Sequence, residues 1–249
     1  MRTLKVLSAL LTYPTPELIA AADELETVIA REGVLPRTHA AAITALIRDL
    51  ASRELFDAQE RYILLFDRTR SLSLHLFEHV HGESRDRGQA MVDLIKLYED
   101  GGYMPTAAEL PDFLPLFLEF AATREPGEAL ALIGQPGHVM AALRERLAKR
   151  GSPYAAVFGA LAALSKVNLD EAALAALRAE PDPEPDDLEA LDAAWEDEAV
   201  TFGPAAADAC GKDSLVAKLR QVRRPAPGAE TPAAAHPRTV ATRSPSSRV

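Results

Sequence analysis

The sequence predicts an all-α fold, and three observations carry that reading. Apolar residues recur on one helical face in segment after segment, with Leu18-Ala21-Ala22-Leu25 and Ile43-Leu46-Ile47-Leu50 as clear cases. Helix punctuation brackets such segments, as Thr15-Pro16 does ahead of the first set and Gly101-Gly102 behind a later one. No strand-type alternation and no internal repeat stands out along the chain. At 249 residues the chain can bury one sizeable core and still carry a tail.

The elements follow in order. Met1 to about Tyr13 reads as a first helix, because its apolar run meets Tyr13-Pro14 with no small-residue cleavage site of the kind a signal peptide shows. Thr15 is an N-cap with Pro16 at the first helical position, and a further helix follows Thr38. Glu54 to Asp67 is predicted as a third, with Tyr62, Leu65 and Phe66 on its inner face. After Gly82 the chain restarts at Ser84, an N-cap with Asp86 well placed against the helix dipole, and Met91, Leu94, Ile95 and Tyr98 are expected as a buried stripe. Asp112 is expected to cap a short apolar helix to about Thr123, with Pro115 tolerated in its first turn. Two more helices are predicted, Gly137 to Lys149 and Pro153 to Ser165.

Charge and composition exclude several function classes. A net charge of −10 disfavours nonspecific nucleic-acid binding, which draws its affinity from basic neutralisation of phosphates, and suits a basic peptide partner instead. The single cysteine, Cys210, excludes an intramolecular disulfide framework and any cysteine-only zinc or iron–sulfur site, and it fits a reducing, cytoplasmic compartment. The longest smooth apolar run, Pro153 to Ser165, falls well short of the roughly twenty residues needed to cross a bilayer. No glycine-rich phosphate loop opens a helix, and the acidic balance disfavours a protein built to bind an anionic cofactor or nucleotide.

One stretch stands apart from ordinary helical surface. Phe66 to Met91 packs three histidines (His75, His79, His81), four arginines and four carboxylates among large apolar residues. Its His75-Leu76-Phe77-Glu78-His79 string matches H-x-x-E-H, in which two histidines at i and i+4 hold zinc and the glutamate acts as base. Such a zinc-dependent hydrolase needs a further ligand from a second helix. The only acid between Gly134 and Ser165 is Glu145, inside the basic run Arg144-Glu145-Arg146. The alternative is a recognition surface with polar groups fixed in place.

The residues of this stretch also carry a resemblance. FD-x-x-R-x-x-S-L from Phe66 to Leu74 and LFEHVHGESRDRGQAM from Leu76 to Met91 closely resemble the NarJ family, the delta subunit of respiratory nitrate reductase. Leu10-Leu11-Thr12-Tyr13-Pro14, Tyr98-Glu99 and Glu109-Leu110-Pro111-Asp112-Phe113-Leu114-Pro115 are similar to further family segments, and together the matches span about residues 4 to 165. The resemblance implies a TorD-like helical bundle and a dedicated, non-catalytic assembly chaperone. It would bind the apo catalytic subunit of the nitrate reductase, hold it during molybdenum cofactor insertion, carry no cofactor of its own and leave before the membrane enzyme is complete.

A chaperone for a basic amphipathic leader needs an apolar groove and carboxylates at its rim. Leu74, Phe77, Tyr98, Phe113 and Phe117 are the candidate groove residues, with Asp67, Glu78, Glu99, Glu109, Asp112 and Glu119 as the acidic set. His79, His81, Arg70, Arg85 and Arg87 would orient these acids or touch the client backbone. The same chain is expected to be a monomer or weak dimer without stable membrane association. Three regions are predicted: a helical chaperone domain over residues 1–170, an acidic linker over 171–222, and a Pro/Ala/Ser/Arg-rich tail over 223–249. Leu188-Leu191-Trp195 in the linker reads as a candidate docking helix. The tail is expected to be disordered because it lacks the large apolar residues that would offset chain entropy.

Overall fold

A computed structural model of the chain describes residues 1–81, 85–104, 109–165 and 169–182. The expected tail and the Leu188-Leu191-Trp195 helix lie outside the described residues. So does Ser84, the expected cap. Twelve α-helices occur among the described residues: α1 (Arg2–Leu10), α2 (Pro16–Ala20), α3 (Ala22–Glu32), α4 (Arg37–Ser52), α5 (Leu55–Tyr62), α6 (Leu76–His81), α7 (Arg85–Asp100), α8 (Leu114–Ala122), α9 (Pro126–Gly134), α10 (Gly137–Lys149), α11 (Ala155–Ser165) and α12 (Glu171–Ala179). The fold is all-α, as the periodicity predicts, and an isolated antiparallel bridge between His75 and Phe113 is its one β-type pairing among the described residues.

Two helices form the middle of the bundle. The inward residues of α8 are Leu114, Pro115, Phe117, Leu118, Phe120, Ala121 and Ala122, which leaves little polar surface on any side. A helix that apolar has to be covered by neighbours. Its main cover is α1, which brings Leu4, Leu7 and Leu10, and α1 packs in turn on α3. Buried along much of its length, α11 is covered by α4, α9 and α10. Glu32, at the end of α3, accepts the backbone N–H groups of Arg2 and Thr3 and so satisfies donors that the first turn of α1 leaves free.

The expectation at the start of α2 holds, and a glycine that the sequence reading did not single out ends the next helix. Thr15 Oγ1 accepts the Leu18 N–H at 3.2 Å with Pro16 at the first position of α2, and Gly33 closes α3 in the left-handed region (φ 61) that glycine adopts without a Cβ penalty. Elsewhere the structure corrects the reading. Asp112 does not cap α8, whose N-cap is Phe113. Its carboxylate reaches α6 instead. The expected buried stripe on α7 narrows to Leu94 and Tyr98, because Ile95 is 37% exposed and Met91 is half-buried. The third helix ends early at Tyr62 and gives way to a π-helical turn, Ile63–Asp67, then a 3₁₀ turn, Arg70–Leu72. α9 and α12 were not expected, and α12, packed on α10, carries the packed body past residue 170. All described residues fall within one unit, Met1–Asp192.

Candidate functional site

The dense stretch begins in the π-turn. Arg68 N–H donates five residues back to Ile63 O at 3.0 Å, and Thr69 Oγ1 donates to Leu64 O at 3.0 Å, so the widened turn keeps its carbonyls satisfied. The extra residue turns Leu65 and Phe66 inward and leaves Ile63 and Leu64 half-buried. Leu72 and Leu74 then pin the following loop into the core at 0% and 3% exposure.

Backbone bonds stitch this loop to the segment before α8. Leu76 N–H donates to Asp112 O at 3.1 Å and Leu114 N–H to Leu74 O at 2.8 Å. Asp112, fully buried, aims its Oδ2 at the Phe77 N–H (3.0 Å) and so caps α6 from another part of the chain. Its Oδ1 lies 3.3 Å from Nδ1 of His75, and that carboxylate holds the imidazole above its ordinary pKa against the opposing effect of burial. His79 shifts the other way, lowered chiefly by burial. Its neutral form, protonated on Nε2, donates to Ser73 O at 2.8 Å.

Around this framework three elements present side chains outward. Phe77 and His81 of α6 are half-buried with their rings 5.5 Å apart, and Phe113 stacks at 5.4 Å from His75. Glu78 pairs with Arg87 at 3.4 Å and links α6 to α7. Val80, Val92, Ile95 and Leu110 are exposed on the same three elements, and Glu99 and Glu109 are exposed carboxylates. Tyr98 ties α7 down. Its hydroxyl donates to Pro111 O at 2.6 Å, burial keeps it protonated well above its ordinary range, and its ring lies 4.8 Å from Phe120. A Cβ on Gly101 would sit 2.7 Å from the Phe120 ring, so glycine permits this close approach at the end of α7.

The sixteen expected groove, rim and orienting residues therefore divide. Leu74, Tyr98 and Asp112 are buried at 3%, 0% and 0% and cannot line a groove, and Phe117, at 4%, is likewise core. They lie beneath the surface of this stretch, because large apolar side chains gain from burial and the Asp112 carboxylate finds inside the hydrogen bonds that offset its desolvation. His79 is committed to Ser73. Phe77, Glu78, His81, Arg87, Glu99, Glu109 and Phe113 lie on the three joined elements. Asp67 and Arg70 are exposed on the turns that precede them, Glu119 accepts from the Tyr103 hydroxyl at 3.2 Å, and the Arg85 side chain lies outside the described atoms. The zinc pattern finds no support. His75 and His79 spend ring nitrogens on Asp112 and Ser73, and no three His, Cys, Asp or Glu groups converge among the described residues.

A second exposed surface was missed in the sequence. A cleft of about 640 Å³ is lined by Tyr13, Phe56, Asp57, Glu60, Ile63 and Leu64, with Phe56 82% exposed. Its signal is the Phe56, Glu60, Ile63 spacing at i, i+4 and i+7, which forms a stripe of its own beside the one that carries Tyr62 and Phe66.

Residues 33–160 match the model of the nitrate reductase delta subunit family. Across 221 residues, 89% of this chain and 92% of the relative, the sequence is 42% identical to the nitrate reductase molybdenum cofactor assembly chaperone NarJ of Escherichia coli K12. The chain belongs to the nitrate reductase delta subunit family. It is also 37% identical to a probable chaperone of the same description, NarW of E. coli K12, over 86% of this chain and 90% of that one. A probable NarJ of Bacillus subtilis is 32% identical over 71% of this chain and 96% of its own length. The family match runs from α4 through the capped α6 into α11 and leaves α1 to α3 outside it. No helix among the described residues is long and apolar enough to cross a membrane.

Proposed function

We propose that this chain is a dedicated assembly chaperone. It binds the apo catalytic subunit of a respiratory nitrate reductase, including its N-terminal segment, and keeps it competent for molybdenum cofactor insertion before membrane docking. It acts in the cytoplasm, catalyses no reaction of its own, and is absent from the finished enzyme. The named relatives support this reading, and one structural observation carries it to a surface. Half-exposed Phe77, His81 and Phe113 stand on a framework in which Asp112 and His79 have hydrogen-bond partners, and α7 and the segment before α8 also carry the exposed carboxylates Glu99 and Glu109. Fixed apolar anchors with an acidic rim suit a basic amphipathic helix. His75 and His79, the two histidines of the zinc pattern, are already engaged with Asp112 and Ser73.

Calorimetric titration with a peptide of the catalytic subunit's N-terminus, at low and physiological salt, tests the proposal. Binding should weaken with salt, because exposed charge pairs are screened over about 8–10 Å. Reversing both Glu99 and Glu109 to Lys should weaken binding about tenfold, or about 1.4 kcal/mol, while leaving the thermal midpoint in place. If neither the peptide nor the full apo subunit binds, the chaperone reading fails. Binding untouched by the double reversal would move the client surface elsewhere, with the Phe56 cleft next in line.

A further inference from the structure

Two stripes run along α5. Ala58 and Tyr62 are buried in the core, whereas Phe56, Glu60 and Ile63 line the cleft of about 640 Å³. Phe56 is 82% exposed there and Tyr13, from the turn after α1, is 42% exposed. The π-turn that follows α5 adds Ile63 and Leu64, both half-buried, to the apolar lining. A phenyl ring left in water beside an apolar hollow is an unfilled contact, since burying an aromatic side chain removes about 150–250 Å² of surface.

The walls of this cleft are fixed before anything enters it. Gln59 Nε2 donates to Pro14 O at 2.8 Å and the Tyr62 hydroxyl donates to Leu11 O at 2.9 Å, so α5 is bonded at two points to the chain between α1 and α2. The Tyr13 and Tyr62 rings also meet edge to face at 5.7 Å. A preformed surface loses little conformational freedom on association. Its charges are less settled than its walls. Asp57 lies in the field of Arg53, which is itself paired with Asp49 at 2.9 Å. Glu60 and Arg68 both line the cleft, yet neither side chain has an ion pair or hydrogen bond among the described residues. The occupant has to bring an apolar ring, a base for Glu60 and an acid for Arg68. A purely basic helix would suit Glu60 and be opposed by Arg68. The α5 face of this same chain, continued through the π-turn, supplies all three groups.

We propose that the cleft is a self-association surface whose occupant is a second copy of this chain. Across a two-fold axis the contact is isologous, so Phe56 of each copy enters the cleft of the other and Glu60 of each pairs with Arg68 of the other. Two such rings, with a like area on the linings they cover, bury less than about 1,200 Å² in all, which is the class of weak and transient contacts. The net charge of −10 on each copy opposes association further. The dimer is therefore reversible and forms at high protein concentration. The proposal does not depend on the chaperone reading.

Sedimentation of the full chain from about 10 µM to about 1 mM tests it, at physiological ionic strength where exposed charges are screened over about 8 Å. The average mass should rise with concentration from that of one chain toward that of two. Phe56→Ser should weaken association at least tenfold and leave the thermal midpoint in place. Glu60→Arg alone and Arg68→Glu alone should each weaken it at least tenfold, because each sets like charges opposite one another. An equimolar mixture of those two variants should recover the parental strength, since both charge pairs are then matched across the axis. A single-chain mass over the whole range, association untouched by Phe56→Ser, or no recovery in the mixture would each overturn the proposal. Should the parent stay monomeric while Phe56→Ser weakens binding of the catalytic subunit's N-terminal peptide, the cleft would belong to the client and the proposal would fall.

Discussion

His75 and His79 stand four residues apart and depart from the ordinary histidine pKa in opposite directions. Asp112 raises His75, so the stability this pair contributes is fully present below about pH 6.5 and fades as pH rises through the raised value. Burial lowers His79, so its contribution is present above about pH 6.5 and fades as pH falls through the depressed value. Titration followed by NMR should resolve one imidazole above 6.5 and the other below. In denaturant melts His75→Gln should flatten the alkaline limb of the stability profile and His79→Gln the acid limb. Two coincident titrations near 6.5 would show that neither environment is as the structure has it. The H-x-x-E-H spacing made both histidines legible as special, but not their roles. Those depend on Ser73, in a loop, and on Asp112, 37 residues away from His75.

At the scale of elements, the start of α2, the bounds of α10 and the end of α11 were legible, whereas the break at Ala21 that separates α2 from α3 was not. Caps and periodicity act over four to seven residues, so a single sequence displays them. The π-turn was not legible, because one inserted residue leaves the apolar pattern of Tyr62, Leu65 and Phe66 intact while changing which hydrogen bonds close. The cap of α6 was hidden for another reason: its acceptor, Asp112, belongs to the segment before α8. Differences in packing between helices also have a consequence for motion. Among described side chains α7 buries only Leu94 and Tyr98, whereas α8 buries seven of its nine residues. Backbone amides of α7 should therefore exchange with solvent faster than those of α8 under native conditions. Equal protection of the two would mean that α7 is held by contacts beyond Tyr98 and the Glu78–Arg87 pair.

For the molecule as a whole, the core is organised around the α1–α8 contact. Leu7 is 0% exposed at that junction. Leu7→Ala should cost about 2–5 kcal/mol in a denaturant melt, the range for deleting a fully buried leucine side chain. A loss near zero would place α1 at the margin of the fold. Phe56→Ser, at the open cleft, should by contrast change stability by no more than about 0.5 kcal/mol, as exposed positions usually do, and shift client binding only if that cleft is used.

The sequence by itself determined the helical class, the bounds of a few helices and the stretch where polar and apolar residues crowd together. Each of these rests on local chemistry, on caps, spacing and composition. Only the tertiary structure decided which of the crowded residues face inward. Asp112, His79, Arg146 and Asp182 are framework because each meets a partner that the fold delivers, and for Arg146 and Asp182 those partners in Ser71 lie 75 and 111 residues away. A charged or polar group enters the interior only where such a partner is waiting, and no reading of neighbours along the chain can supply it.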